Sequence, residues 1–294
     1  MPRTARSTSI PASGSAVVVT GSGSGIGRAV ARGLVERGYF VFGSAISSDE
    51  AEGLSAELGG ERFSPFVVDV RREEQVQAAA ARISEQLEGR PLRALLNIAG
   101  IVKNGPLVDL SGAEFQDILA VNLVGVHVVT RAFLPLLSAS GGRVVNISSS
   151  SGRRTLPFTG AYGPSKVAVE ALSAAMRMEF APLGVDVAIV APAMINTAMA
   201  DKIKSDVAAE PSRPVYREPL KRFLAGVETS FANGIPIEKM VATCIEAVEA
   251  PKPKIRYALH QSVLRDVVLF QLIPTRWRES LIRSRLALNA PDAS

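Results

Sequence analysis

The sequence predicts an α/β protein: a single doubly wound domain with a parallel seven-stranded sheet and a C-terminal helical extension. Three observations carry this expectation. Short apolar runs alternate with amphipathic stretches over residues 15–260, and strands separated by helices build right-handed βαβ units on a parallel sheet. A glycine-rich turn, Gly21 to Gly27, follows the first apolar run. The 294 residues, 47% hydrophobic and 21% charged, are enough to bury a large core.

The elements follow in order. Strands are predicted at 16–20, 39–45, 63–68, 92–97, 143–148, 185–190 and 255–259. The helix after the glycine turn runs to about Arg37 and is ended by Gly38. Further helices are expected at 49–58, 73–87, 111–138 and 160–182. The stretch 194–236 offers few clear elements. In the tail, residues 261–273 form a broad apolar helical stripe broken by Pro274, and a second helix spans 277–287. The chain thus divides into a disordered polar tail (1–14), a doubly wound domain (15–260) and the extension (261–294).

Composition excludes several function classes. The single cysteine, Cys244, and two histidines, His127 and His260, argue against an intramolecular disulfide, a zinc–cysteine cluster or any multi-histidine metal site. The histidines read as structural and Cys244 as core. Residues 251–294 carry eight Lys or Arg against three Asp or Glu, which accounts for the whole net charge of +5; nucleic-acid binding has no support elsewhere in the chain. No unbroken run of ~18 apolar residues occurs, so no membrane span is expected. The start lacks an apolar secretory core, and the expected compartment is the cytoplasm.

Two motifs carry chemistry. Gly21, Gly25 and Gly27 have the spacing G-x-x-x-G-x-G between a strand and a helix. Glycines let backbone N–H groups approach a pyrophosphate, and the helix start favours its charge. No Walker lysine follows, which disfavours triphosphate hydrolysis. Tyr162 and Lys166 lie four residues apart at the start of a helix and share a face. A nearby ammonium favours phenolate, so Lys166 is expected to lower the Tyr162 pKa and make it an acid–base catalyst near neutral pH.

Taken together, these motifs resemble the classical short-chain dehydrogenase/reductase family, in particular its branch of retinol, 17β-hydroxysteroid and 3-hydroxybutyrate dehydrogenases. Thr20 and Gly21 through Gly27, with Ser24, Gly25 and Ile26, match the family's cofactor loop. Asp69-Val70 matches its adenine-contacting pair. Asn97-Ile98-Ala99-Gly100 matches its N-N-A-G element, with Ile98 in place of the second Asn. Asn122 lies 40 residues and Ser149 thirteen residues before Tyr162, at the family's catalytic asparagine and serine positions. Pro192-Ala193-Met194-Ile195-Asn196-Thr197 matches P-G-x-x-x-T, with Ala193 in place of Gly.

The resemblance implies a Rossmann domain and hydride transfer between a substrate carbon and a nicotinamide. It implies Asn122, Ser149, Tyr162 and Lys166 as catalytic residues. It also implies cofactor contacts from Gly21, Ser24, Gly25, Ile26, Gly27, Asp69, Val70, Asn97, Ala99, Gly100, Tyr162, Lys166, Pro192, Ile195 and Thr197, without a metal, and a homodimer or homotetramer. The second strand ends without the Asp that binds a ribose 2′-OH or an Arg that accepts a 2′-phosphate. NAD is therefore expected over NADP, although Ser47 and Ser48 offer hydroxyls to a phosphate. The substrate expectation is a lipophilic secondary alcohol or ketone, bound by apolar residues of 194–236 such as Met194, Met199, Ile203, Val207, Phe223 and Leu224. Arg153, Arg154, Leu156 and Phe158 fall near the mouth, which leaves an NADPH-dependent carbonyl reductase acting on a small or anionic ketone as the alternative. A nucleotide-binding regulator of the same fold is the rival function; a serine hydrolase fails for want of a suitable histidine. The tail is expected to cover the pocket or an oligomer interface, with weak membrane-surface contact as its rival role.

Overall fold

The computed structural model describes residues 13–153, 155–196, 210–260 and 272–288. Seven strands form one fully parallel sheet: β1 (Ala16–Val19), β2 (Phe40–Ala45), β3 (Phe63–Val67), β4 (Leu92–Asn97), β5 (Arg143–Ile147), β6 (Asp186–Pro192) and β7 (Arg256–Leu259). Their order is β3-β2-β1-β4-β5-β6-β7. Side chains alternate between faces with period two. Val17 and Val19 therefore enter one core layer, and Ala16 and Val18 enter the other. Both faces are covered, as a parallel sheet requires. Pro65 lies in β3, which is an edge strand and so tolerates the missing N–H.

Helices α1 (Gly25–Glu36), α2 (Ser48–Leu58), α3 (Glu73–Gln86), α4 (Gly112–Leu119), α5 (Gly125–Ser140) and α6 (Tyr162–Glu179) fall close to the predicted bounds. The predicted helix 111–138 is not uniform: a π-helical turn, Ala120–Val124, separates α4 from α5. The wider turn aims Asn122 inward. At its end Gly125 allows close approach, since a Cβ there would lie 2.8 Å from Val70 Cγ2.

The helical segment Gly112–Ser140 is long and apolar enough to cross a membrane by length and composition. An unbroken-run criterion misses it because Asn122, His127, Thr130 and Arg131 interrupt the pattern. In the fold it is a core helix, with Val128, Val129, Phe133 and Leu137 buried against the sheet.

The sequence reading missed α7 (Arg217–Ala232) and gave no bounds to α8 (Ile237–Glu249). Pro219 and interspersed charges obscured α7, yet a proline is tolerated in a first turn. Its Leu220, Phe223, Val227 and Phe231 are buried at helical spacing and form a third apolar cluster with Phe158. In the tail, α9 (Thr275–Leu286) follows Pro274. Leu286 and Leu288 pack against that third cluster, so the extension covers the domain. The first tail helix, at 261–273, lies almost wholly outside the described residues, as do most of the polar N-terminal tail and Met199, Ile203 and Val207.

Arg143 joins sheet to helix. Its guanidinium is buried and donates to the carbonyls of Ala247 and Ala250, both at 2.8 Å. These are carbonyls at the end of α8 with no helical partner. Arg143→Met is expected to leave them buried and unsatisfied, at about 2 kcal/mol. The measurement is the urea midpoint followed by circular dichroism, which should fall without a change in the transition's slope.

Candidate functional site

The site forms where the strand order turns back. β1 leads to β2 on one side and pairs with β4 on the other, so the loops leaving β1 and β4 diverge and open a crevice at the carboxyl ends of the strands. A single cavity of about 1080 Å³ follows this crevice. It runs from the glycine turn, past Ser149, Tyr162 and Lys166, to α7 and α9.

The glycine turn is held from both sides. Gly21 N–H donates to Ser44 Oγ at 2.9 Å, and Ser22 N–H to the Ser44 carbonyl at 2.8 Å. Thr20 Oγ1 accepts the N–H groups of Ile98 and Ala99, at 3.0 and 3.1 Å. Gly21 has φ +69°, and a Cβ there would sit 2.7 Å from Ala99 Cα. A Cβ at Gly27 would sit 2.7 Å from the Gly21 carbonyl carbon. Only glycine fits at either position. Helix α1 starts at this turn with no side-chain cap and no acid in its first turn. Its first N–H groups therefore lack helical partners, and Ser24, Gly25, Ile26 and Gly27 line the cavity. An uncapped helix start in a glycine cradle fits a pyrophosphate.

Farther along, β5 delivers Ser149 and α6 begins with Tyr162. Ser149 Oγ accepts the Ser151 N–H at 3.1 Å and is hydrogen-bonded to the Tyr162 phenol. Lys166, one turn along α6, is buried and donates from Nζ to the Ile147 carbonyl at 2.9 Å. Its ammonium lies 5.7 Å from the Tyr162 ring centre. The expected depression of the tyrosine is not found. Burial pushes the phenol above its ordinary value and the Ser149 hydrogen bond only partly opposes this. Burial also lowers the Lys166 ammonium to about 8, and that ammonium is directed at a carbonyl rather than at the phenol oxygen.

Of the residues the sequence singled out, Gly21, Ser24, Gly25, Ile26, Gly27, Asp69, Val70, Ala99, Gly100, Ser149, Tyr162, Lys166, Pro192 and Ile195 all line the cavity. Thr197 and Arg154 lie outside the described residues. Two of them, Asn97 and Asn122, lie behind the cavity wall. Asn97 does not line the cavity; it is buried, and its Nδ2 donates to Thr130 Oγ1 at 3.0 Å and Asn146 Oδ1 at 2.8 Å. Asn122 is also fully buried. Its side chain bonds both backbone groups of Ile101, at 2.8 and 2.9 Å, and donates to Ser165 Oγ at 3.1 Å. It braces the loop after β4 against α6.

Ser47 is engaged as the cap of α2, accepting the Glu50 N–H at 3.3 Å, and so is less available to a phosphate. Asp69 is gripped by Arg71, with Nε at 2.9 Å and Nη2 at 2.7 Å. That pairing holds its carboxyl below the ordinary range.

Sequence reasoning missed two acids. Glu50 accepts the Ile46 N–H at 3.1 Å, and its carboxylate covers Gly23, where a Cβ would collide with it. The signal was there in Ser47-x-x-Glu50, a helix-start spacing. Glu170, four residues after Lys166, accepts from Ser148 Oγ at 3.1 Å and Arg256 Nε at 2.9 Å, and pairs with Arg153 at 3.4 Å. Arg153 therefore lines the cavity already paired. His260, read as structural, also lines it.

Comparison with known proteins agrees with this geometry. The family model for short chain dehydrogenases matches residues 15–208. The chain is 32% identical over 270 residues to NADPH-dependent 3-dehydrocapnine reductase of Ornithobacterium rhinotracheale, covering 90% of this chain and 94% of that protein. It is 34% identical over 253 residues to Retinol dehydrogenase 7 of Rattus norvegicus, covering 82% and 79%. A crystal structure of a short-chain dehydrogenase from Streptomyces avermitilis aligns with a TM-score of 0.75 at 26% identity, covering 93% of this chain and 97% of that one.

The lysine makes a stability prediction. Its value in the folded protein, about 8, is below the ordinary 10.5. The folded state thus binds fewer protons than the unfolded chain between these values. The cost of burying the charge is complete below about pH 8 and fades as pH rises toward 10.5. Lys166→Met is expected to stabilise the fold by roughly 1–3 kcal/mol at pH 7, with a smaller gain at pH 10. Urea denaturation of both proteins at the two pH values checks it.

Proposed function

Because this chain belongs to the short-chain dehydrogenase family, we propose that it moves a hydride between NAD and the carbon of a secondary alcohol or ketone carried on a lipophilic body. One observation carries this reading: Ser149, Tyr162 and Lys166 share a cavity with an uncapped helix start in a glycine cradle.

The glycine turn and the α1 N–H groups would hold the cofactor's pyrophosphate, with Asp69 and Val70 on the adenine side and Pro192 and Ile195 on the nicotinamide side. When bound, the nicotinamide supplies or takes the hydride; the protein supplies orientation and the proton. Ser149 donates a hydrogen bond to the substrate oxygen and fixes its position. Tyr162 gives its proton to that oxygen in reduction and takes one back in oxidation. The burial that raises the phenol's pKa keeps it protonated, which suits the acid of the reductive direction. Lys166 holds the ribose and passes protons toward the tyrosine, and Asn122 positions the loop and helix on which this depends.

NAD is favoured over NADP by Glu50. Its carboxylate sits between Ile46, next to the end of β2, and Gly23, where a ribose 2′ substituent approaches in dinucleotide folds. A 2′-phosphate would meet a like charge there. Nearby arginines are engaged: Arg28 with Glu57 at 3.3 Å, and Arg71 with Asp69 and Asp117. The NADPH dependence in the name of the Ornithobacterium relative supports the second reading. The substrate reading rests on Met194, Phe223, Val227 and Phe231 along the cavity and on the retinol dehydrogenase likeness.

Tyr162→Phe is expected to keep cofactor affinity within about twofold and to lose ~10²–10⁴ in turnover. Near-normal turnover on a panel of secondary alcohols and ketones, followed at 340 nm, would overturn the mechanism. For the cofactor, fluorescence titration should give NADH at least tenfold tighter binding than NADPH, and Glu50→Gln should narrow that gap by relieving the like charge. Tighter NADPH binding by the native protein would reverse the assignment.

A further inference from the structure

Asn104 stands in the loop after β4 and is only 8% exposed. Asparagine recurs where its side chain caps a helix, bonds the backbone of its own turn or lets the chain take a positive φ. None of these holds here. The short helical turn that follows, Leu107–Asp109, is preceded at its cap position by Pro106. Asn104 is not among the residues with positive φ. Its carboxamide makes no hydrogen bond to the described residues. A buried amide left in this state is costly. Neither Oδ1 nor Nδ2 is closed off from solvent, however, and the residue lines the cavity. The carboxamide therefore faces cavity space, where a ligand reaches it.

Its neighbours fix its place. The Gly105 N–H donates to the Phe158 carbonyl at 2.9 Å, and Gly105 bridges in parallel register to Thr159. Thr159 is buried too and lines the cavity. Its hydroxyl donates to the Leu156 carbonyl at 2.7 Å, so towards a ligand it is an acceptor. The surroundings are apolar: Val102, two residues before Asn104, packs against the cluster of Phe158, Phe223 and Val227. The wall at the substrate end is thus apolar with one amide and one hydroxyl set into it. A ligand whose single oxygen is held at Ser149 and Tyr162 leaves this amide unpaired. A second oxygen pairs it. Sites built around a buried polar group discriminate in this way more sharply than apolar pockets do.

We propose that the substrate carries two oxygen functions on its apolar body: the ketone or hydroxyl that reacts at Ser149 and Tyr162, and a second carbonyl or hydroxyl that the Asn104 carboxamide binds. A carbonyl there accepts from Nδ2; a hydroxyl also donates to Oδ1. This rests on the hydride-transfer reading of the same cavity and deepens it. The substrate class becomes a lipophilic diketone, hydroxyketone or diol rather than a compound with one oxygen, and Asn104 is the residue that determines this specificity.

The test compares decan-2-one with decane-2,5-dione, decane-2,7-dione and decane-2,9-dione, which add a second carbonyl at increasing separation. NADH oxidation at 340 nm gives kcat/KM for each, and calorimetry on the full chain gives affinity. The native protein is expected to favour one dione over the monoketone by about tenfold or more in both measures. In Asn104→Leu and Asn104→Ala that ratio should fall to about one. A urea titration without ligand separates recognition from a role in folding: Asn104→Leu should keep or raise the midpoint, because it removes an unpaired buried amide. Absence of a preferred dione in the native protein, a preference unchanged in both variants, or a lower midpoint in Asn104→Leu overturns the proposal. If no ketone is reduced but the native protein binds a dione about tenfold tighter, and the variants do not, the Asn104 site stands and the hydride-transfer reading fails.

Discussion

The hydrogen bond between Asn97 and Asn146, 2.8 Å long and wholly buried, is the constraint on which the arrangement of the site depends. The two residues are register partners at the ends of β4 and β5. Each also reaches a helix: Asn97 donates to Thr130 on α5, and Asn146 to Ser173 on α6 at 2.9 Å. Buried polar groups are expensive unless paired, so this chain of amides and hydroxyls tolerates only one relative placement of two strands and two helices. Within that placement, the loop after β4 meets the glycine turn through Thr20. The strand leading to Ser149 meets the helix of Tyr162 and Lys166.

Asn122 extends the same logic one layer outward. The π-helical turn gives the chain one wider step, which aims an amide at Ile101 and Ser165 rather than along the helix surface. The loop and α6 are thereby fixed to each other through a residue that is itself outside the cavity. The active side chains carry the strain of this order. Lys166 is a buried cation whose charge burial disfavours, and Phe158 adopts φ +62°, a region costly for a bulky residue. Phe158 is held there between Phe223 and Tyr216, with ring centres 5.6 and 6.2 Å away. The aromatic contacts offset local backbone cost at the substrate end.

The two ends of the cavity are built differently. The dinucleotide end comes from loops at the sheet's carboxyl edge and is rigid by backbone hydrogen bonds. The substrate end comes from α7 and α9, which touch the domain through a small apolar cluster of their own. That separation lets the glycine-turn end stay constant while the covering helices shape the other end.

The parallel doubly wound sheet was legible because apolar runs and amphipathic helices differ in period, and because glycine spacing and Tyr162-x-x-x-Lys166 are local patterns. Ser149 too followed from its distance to Tyr162 along the chain. What the sequence did not reveal was non-local. Asn97 and Asn122 look like site residues in one dimension, but their hydrogen-bond partners lie on other elements and draw them behind the wall. Glu50 reads as a helix-start acid until the fold brings its carboxylate over Gly23. Helix α7 was hidden by Pro219 and by charges that face solvent. The Tyr162 phenol shifts up rather than down because burial, a property of the assembled cavity, outweighs the Ser149 hydrogen bond, while the Lys166 ammonium is directed at the Ile147 carbonyl. Sequence alone determined the residue types and their local spacing. The tertiary structure decided which of them share a cavity, which are desolvated and which are paired, because those depend on contacts between residues distant in the chain.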